Sequence, residues 1–238
     1  MENNKNISRL SAHRFLVRES IADEFDELPA VAPNYYRAIK RMADPLVAAI
    51  VFLALLPLFV LITVLVAAST GKNPFFSRRR ALALGGREFT IFKFRTMRVD
   101  DAQSVTPLTE EEVFHKPCLY DAMPPVCRLL RRTGLDELPQ LINVIKGDMS
   151  IIGPRPLDLR DLSILAEADR QLNERRKNLP VRPGITGLWQ IYGKRKRGSK
   201  DLIALDEEYV LSLSFALDVQ IMLATLVRMI LAKFEGAA

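Results

Sequence analysis

Two consecutive carboxylates, Asp136 and Glu137, stand between an arginine pair and a proline-framed arginine in the stretch RRTGLDELPQLINVIKGDMSIIGPRP. Residues of these types can supply a nucleophile, a general base, or oxygen ligands for a hard cation. Arg131 and Arg132 lie just upstream, and Gly153, Pro154, Arg155 and Pro156 make a stiff turn that holds one guanidinium in a fixed frame. A guanidinium so held suits bidentate contact with phosphate. Mg²⁺ carrying phosphate takes only one or two protein oxygens, which two carboxylates can provide. A carboxylate nucleophile, a divalent cation and arginines together point to phosphoryl chemistry. The tetrapeptide DELP also occurs at 26–29, in IADEFDELPAVAP. That copy sits in a polar, proline-dotted arm with no glycine-rich loop or periodic helix nearby, and reads as a solvated acidic turn. No P-loop, GxGxxG or His-rich metal motif occurs in the chain.

The elements that must position these groups follow from periodicity. Leu138, Leu141, Ile142 and Ile145 recur at helical spacing and Gly147 is a natural stop, so a helix is expected to begin near Asp136, with Asp136 as its N-cap and Pro139 in its first turn. That puts both carboxylates at the positive end of a helix. GGREFTIFKFRTM (85–97) reads as a turn and a strand, with Phe92 and Phe94 on one face and Lys93 and Arg95 on the other. Residues 100–125 read as a loop with a short helix, and 158–178 as one amphipathic helix burying Leu162, Leu165 and Leu172. The stretch 181–200 reads as a loop. The apolar run 211–234, interrupted by Asp218 and Arg228, suits a helix lying in a membrane interface or one packed in a core.

Residues 46–68 contain no charged side chain, a length that can cross ~30 Å of hydrocarbon. A secretory signal would start nearer the N-terminus and carry a shorter apolar run of ~7–15 residues. Export would make Cys118 and Cys127 a candidate pair, whereas a reducing compartment fits the two cysteines better. Pro57 at the middle of the segment should kink or break a helix. Arg37, Lys40 and Arg41 precede the segment, and Lys72, Arg78, Arg79 and Arg80 follow it. Basic flanks prefer the cytoplasmic side, so a helix–break–helix that enters and leaves by one face satisfies both; a straight span with a tolerated proline is the alternative. The net charge of +6 and the clusters at 78–80, 175–177 and 194–197 suit a solvated surface or anionic headgroups. Nucleic acid is not expected, for want of interleaved aromatics or a binding motif.

KRMADP with the broken apolar helix, FTIFKFRTM, LRRTGLDELPQLINVIKGDMSIIGPRP, RPGITGLWQIYG and LDEEYV…LD run in one order over residues 38–232. In these stretches the chain resembles the monotopic phosphoglycosyl transferases, the bacterial sugar transferase family, in its small exopolysaccharide-type form. The resemblance implies a membrane-associated α/β protein: a polar arm (1–36), a re-entrant membrane helix hairpin (37–72), and a small cytosolic catalytic domain (73–238) with amphipathic interfacial helices. It implies Asp136 as nucleophile on the β-phosphorus of a UDP-sugar, with UMP released and an aspartyl-phosphosugar left. Glu137 is implied to bind Mg²⁺ (Mn²⁺ could replace it), and Lys93, Arg95, Arg131, Arg155 and Lys194 to line the substrate pocket. Polyprenyl (undecaprenyl) phosphate would then accept the phosphosugar at the cytosolic face of the inner membrane, priming an exopolysaccharide or another glycan. Galactose or glucose is the sugar implied, and a homo-oligomer is left open.

The sequence departs from the family pattern at Leu56, at RRRALALGG, at Gly134 and at Lys194. The residues alone leave other readings open: Asp136 as a general base without a covalent species, a non-catalytic membrane anchor on the same fold, or a basic nucleic-acid binder with salt-sensitive binding.

Overall fold

A computed structural model describes residues 35–83, 85–97, 109, 113, 123–193 and 198–231. The acidic turn at 26–29, Cys118, Lys194 and most of the 100–125 loop lie outside the described residues. In chain order come α1 (Tyr35–Ala54), α2 (Leu56–Thr70), β1 (Phe75–Ala81), β2 (Phe89–Phe94) and α3 (Pro125–Thr133). A short 3-10 turn (Leu135–Glu137) leads to α4 (Gln140–Ile145), β3 (Ser150–Ile152), β4 (Leu157–Asp158), α5 (Leu159–Ala168) and α6 (Arg170–Lys177). Then follow β5 (Gly184–Thr186), α7 (Leu188–Tyr192), α8 (Gly198–Leu211) and α9 (Phe215–Ile230).

The uncharged segment breaks as Pro57 dictates. α1 and α2 meet at Leu55 with a bend of 66°, and no single helix among the described residues is long and apolar enough to cross a membrane. Phe52 and Phe59 pack edge to face across the break at 5.4 Å. A second proline, Pro45, lies inside α1 and cannot donate to the carbonyl four residues back. That carbonyl, on Arg41, instead accepts from Arg182 Nη1 at 3.4 Å. Both helices lay one face on the folded body: Ala48 packs with Phe89, Ile91 and Val144, and Ile62 and Val66 pack with Phe94 and Leu130. Their opposite faces expose Leu46, Ile50, Leu53, Val60, Leu61 and Val64.

β1 is the central strand of a three-stranded antiparallel sheet ordered β2-β1-β4, with Phe75 opposite Phe94 and Arg80 opposite both Phe89 and Asp158. Both faces of β2 are covered, so the strand is not split into an apolar and a basic face. Phe89 and Ile91, which share the parity of Lys93, are buried against α4, while Phe94 meets α2 and α3. The outer edge of β2 is closed by one side chain: the buried Asn143 amide accepts from the Phe92 N–H at 3.1 Å and donates to the Thr90 carbonyl at 2.6 Å. An amide thereby stands in for the neighbouring strand, satisfying backbone groups that would otherwise be orphaned.

Three expectations need correction. Residues 158–178 form two helices, because Asp169 is extended and caps α6 by accepting from the Leu172 N–H at 2.9 Å; Leu162, Leu165 and Leu172 are all buried as the periodicity requires. The 181–200 stretch contains β5 and α7. β5 runs parallel to β3, with Ser150 opposite Gly184 and Ile152 opposite Thr186. A Cβ on Gly184 or Gly187 would fall 2.1 Å from backbone atoms of Gly153, which ties the GITG stretch to the PRP turn. The arginines of 175–177 are not a headgroup-facing patch. Arg176 is fully buried, pairs with Asp206 at 2.8 Å, and donates to the carbonyls of Leu82 and Arg155. Arg175 grips Glu207 through two bonds of 2.8 and 2.6 Å.

The polar interruptions of α9 both turn inward. Asp218 accepts from Tyr36 and Tyr209 at 2.8 and 2.9 Å and pairs with Lys40 at 2.7 Å; Arg228 Nη1 donates to the Gln190 carbonyl at 3.1 Å. The remaining outer face exposes Phe215, Leu223, Leu226, Val227 and Ile230. Lys40 also pairs with Asp44 at 3.1 Å, and Asp44 accepts from Ser150 Oγ and, at 3.2 Å, from the Ile151 N–H. The start of α1 is thus bolted to α9 and β3 by buried polar groups, and the end of α2 runs directly into β1.

Candidate active site

The carboxylate pair sits where α3 ends. Gly134 takes a positive φ of 75°, which terminates α3 and lets the chain turn at once into the 3-10 segment. The Glu137 N–H donates to the Gly134 carbonyl at 3.1 Å and the Leu138 N–H to the Leu135 carbonyl at 3.3 Å. Asp136 is therefore not the N-cap of α4. That place is taken by Pro139, and α4 has only six residues. The helix-end field expected from periodicity is replaced by side-chain charges.

Those charges are placed by the strands. Lys93, near the end of β2, reaches Glu137 Oε1 with Nζ at 2.5 Å. Burial opposes the charge on Glu137, yet Lys93, Arg155 and Arg80 hold its carboxyl below the usual carboxylate range. Asp136, buried to 8% exposure, goes the other way. Removal from water and the neighbouring Glu137 push its pKa up to about 6, against the pull of Lys93 and Arg131. The two carboxylates have thereby been separated: one is firmly ionised and paired, and its neighbour titrates close to neutrality.

Arg131 and Arg155 lie within electrostatic reach of Asp136 and Glu137 respectively. Arg95 is held differently, with Nε on the Asn73 carbonyl at 2.8 Å and Nη2 on that of Phe75 at 3.2 Å, where it closes the β1–β2 end. Cys127, a free and buried thiol, donates to the Arg95 carbonyl at 3.8 Å; burial and the charge of Asp136 push its pKa up. It is held as a neutral thiol beside the pair.

The residue that sequence reasoning missed is Arg80. Within RRR the strand alternation separates the three arginines: Arg78 pairs with Asp158 at 2.7 Å, Arg79 with Glu88, and Arg80 turns toward Glu137 and Arg155. Its Nε is buried without a hydrogen-bond partner among the described residues. Burial and the facing Arg155 charge push its pKa below the usual guanidinium value. Two guanidiniums that repel one another, one with an unused buried donor, suit an incoming dianion. The signal was present in the sequence, since Arg80 shares parity with Arg78 but not with Arg79 on a β-rich run.

The same donor set fits a hard cation. No cluster of three or more His, Cys, Asp or Glu is gathered among the described residues, and two adjacent carboxylates suit Mg²⁺ that draws its other ligands from phosphate and water.

Comparison with known proteins places the chain in a family. The family model described as bacterial sugar transferase matches residues 35–232. The chain is 36% identical over 202 residues to UDP-glucose:undecaprenyl-phosphate glucose-1-phosphate transferase of Xanthomonas campestris pv. campestris, covering 83% of this chain and 40% of that protein. It is 35% identical over 195 residues to the uncharacterized sugar transferase EpsL of Bacillus subtilis, covering 82% and 89% of the two chains. To the exopolysaccharide production protein ExoY of Sinorhizobium fredii it is 36% identical over 202 residues, covering 82% and 86%. The chain thus matches the smaller relatives over most of their length and the larger one over less than half. It belongs to the bacterial sugar transferase family.

Proposed function

We propose that the protein transfers a sugar 1-phosphate from a UDP-sugar to polyprenyl phosphate at the cytosolic face of the inner membrane, through a covalent aspartyl-phosphosugar. The observation that carries this reading is the divided carboxylate pair: Asp136 near its pKa with no ion pair among the described residues, beside Glu137 already ionised and bound to Lys93. The ionised Asp136 oxygen attacks the β-phosphorus, the bond from that phosphorus to the bridging oxygen breaks, and UMP leaves with the electron pair. An oxygen of the lipid phosphate then attacks the same phosphorus and returns Asp136 as a free carboxylate.

Two anions must meet for the first step. Lys93, Arg80, Arg131 and Arg155 offset that repulsion, and they are fixed before substrate arrives by β2, β1, α3 and the braced PRP turn. Glu137 would hold Mg²⁺, which would neutralise charge on the diphosphate. Elsewhere the chain's own groups do the positioning: Asn143 locks the strand that carries Lys93, and Arg176 holds the carbonyl of Arg155.

The bent pair of helices supports the re-entrant reading. Both of its ends are fastened to one body, through the Lys40–Asp44–Asp218 network and through β1, while its outer face and that of α9 are apolar. The flank argument is altered in one respect: Lys40 and Arg80 are used inside the fold, and the exposed Arg78 and Arg79 are paired with Asp158 and Glu88, which leaves Arg37, Arg41 and Lys72 to face headgroups. The test is UMP release from a panel of UDP-sugars, with and without polyprenyl phosphate. UMP with several sugars only when the lipid is added would contradict the covalent route; UMP with none would contradict the activity itself.

A further inference from the structure

Gln140 opens α4 with only 2% of its surface exposed, and its Nε2 has no hydrogen-bond partner among the described residues. A buried donor left unmet destabilises a fold, so it points to an acceptor that reaches it in another state of the site. The winding of the segment says where this donor lies. Glu137, Leu138, Leu141 and Ile142 each donate a backbone bond three residues back, and residues three apart then stack one above another. Glu137, Gln140 and Asn143 form such a row. Both ends of the row are fastened to β2: Glu137 holds Lys93 Nζ at 2.5 Å, and Asn143 holds the Phe92 N–H and the Thr90 carbonyl. Gln140 therefore lies between them, against the same strand edge and one turn from the Glu137 carboxylate.

Lys93 has two claims on it. It is the ion-pair partner of Glu137, and both side chains are largely buried. In the transfer reaction it must also meet the diphosphate of the sugar donor, and one compact ammonium cannot serve both anions fully. Once the diphosphate draws it away, Glu137 becomes a buried charge short of a donor, which is strongly unfavourable. Arg80 and Arg155, the other cations facing Glu137, are claimed by the same diphosphate. We propose that Gln140 is a positioning residue for Glu137. Its Nε2 donates to the Glu137 carboxylate as Lys93 passes to the diphosphate, so the lysine moves without stranding the glutamate. This hand-over rests on the transferase reading given above.

The experiment uses the full chain in neutral maltoside micelles and the near-isosteric Gln140→Met, which keeps the packing and removes the donor. Two quantities are read: the urea unfolding midpoint without nucleotide, and the affinity for UDP at constant Mg²⁺ by calorimetry. Gln140→Met should unfold at the same urea concentration as wild type or a higher one, because it deletes an unmet donor. It should nonetheless bind UDP roughly tenfold more weakly, the loss expected for one hydrogen bond to a charged group. Lys93→Met imitates the departure of the lysine. In that background Gln140→Met should lower the urea midpoint further, a coupling between the two sites that a glutamine acting only as packing would not show. A lowered midpoint for Gln140→Met alone, an unchanged UDP affinity, or no further loss beside Lys93→Met would each overturn the proposal. If Lys93→Met does not fold, the midpoint and UDP affinity of Gln140→Met decide alone. Wild-type protein that binds no UDP would instead overturn the transferase reading, and the hand-over with it.

Discussion

The chain contains the tripeptide Leu-Asp-Glu twice among its described residues, at 135–137 and at 205–207, and in both copies burial pushes the aspartate pKa up to about 6. Their surroundings differ in one respect. Around Asp206 and Glu207 every charge is answered: Arg176 pairs with the first at 2.8 Å and Arg175 grips the second with two bonds. Around Asp136 and Glu137 a single lysine is engaged among the described residues, while Arg80 and Arg155 face Glu137 and repel one another, and Arg80 Nε has no hydrogen-bond partner there. A perturbed carboxylate thus marks a reactive site only when the surrounding cations are left unspent; a closed account of charge marks a brace.

The largest effect expected is on turnover at the first copy. Asp136→Asn should lower UMP release by roughly 10³-fold or more, while the protein folds normally. The sign of its stability effect follows from linkage. The folded pKa of Asp136 lies above the unfolded carboxylate value, so the folded state keeps a proton that the unfolded state releases, and stability falls as pH rises from about 4 to about 6. Asn removes that loss, so the variant should unfold at higher denaturant than wild type at pH 8 and show no such gain at pH 4.

Glu137→Gln should follow, with turnover down by about 10²-fold and the fold intact. Chelation should abolish wild-type activity and Mg²⁺ or Mn²⁺ should restore it; full activity in chelator would remove the metal role from Glu137. The second copy should respond in stability instead. Asp206→Asn leaves Arg176 buried without its counter-charge and should cost about 3–5 kcal/mol, read in urea unfolding, with UMP release per folded molecule within about tenfold of wild type. A turnover loss there as deep as that of Asp136→Asn would erase the contrast between the copies.

Much of this contrast was legible in sequence on one side only. The apolar helix after DELP, the strand with Lys93 and the PRP turn were readable because periodicity and proline leave strong local marks. Arg176 and Asp206 were not, since a buried pair made between α6 and α8 looks in sequence like two surface charges. Asn143 and Gln140 were the neglected hint: both are polar and both are buried on an otherwise apolar helix. Asp136 was misplaced as an N-cap because Gly134 ends one helix and forces a 3-10 turn before the next, a departure that hydrophobic spacing cannot register. Lys40 was read as a membrane flank because its partners, Asp44 and Asp218, are respectively one helical turn and most of the chain away.

The smallest effect expected is a shift in pH dependence. UMP release should rise with pH along a limb near 6, as Asp136 loses its proton. Lys93 lowers that pKa, so Lys93→Gln should move the limb upward by about one unit. A limb that stays in place would detach Lys93 from the nucleophile.

The central claim is a covalent bond to Asp136, and it is tested most directly by trapping. Wild-type protein given UDP-sugar radiolabelled in its β-phosphate, without lipid acceptor, should release a stoichiometric burst of UMP and retain the label. Hydroxylamine should discharge that label, as it does an acyl phosphate. Asp136→Asn should never acquire it, whereas Asp26→Ala in the other DELP copy and Asp206→Asn should. No retained label on the wild-type protein, with UMP appearing only once polyprenyl phosphate is added, would contradict the account and make Asp136 a base.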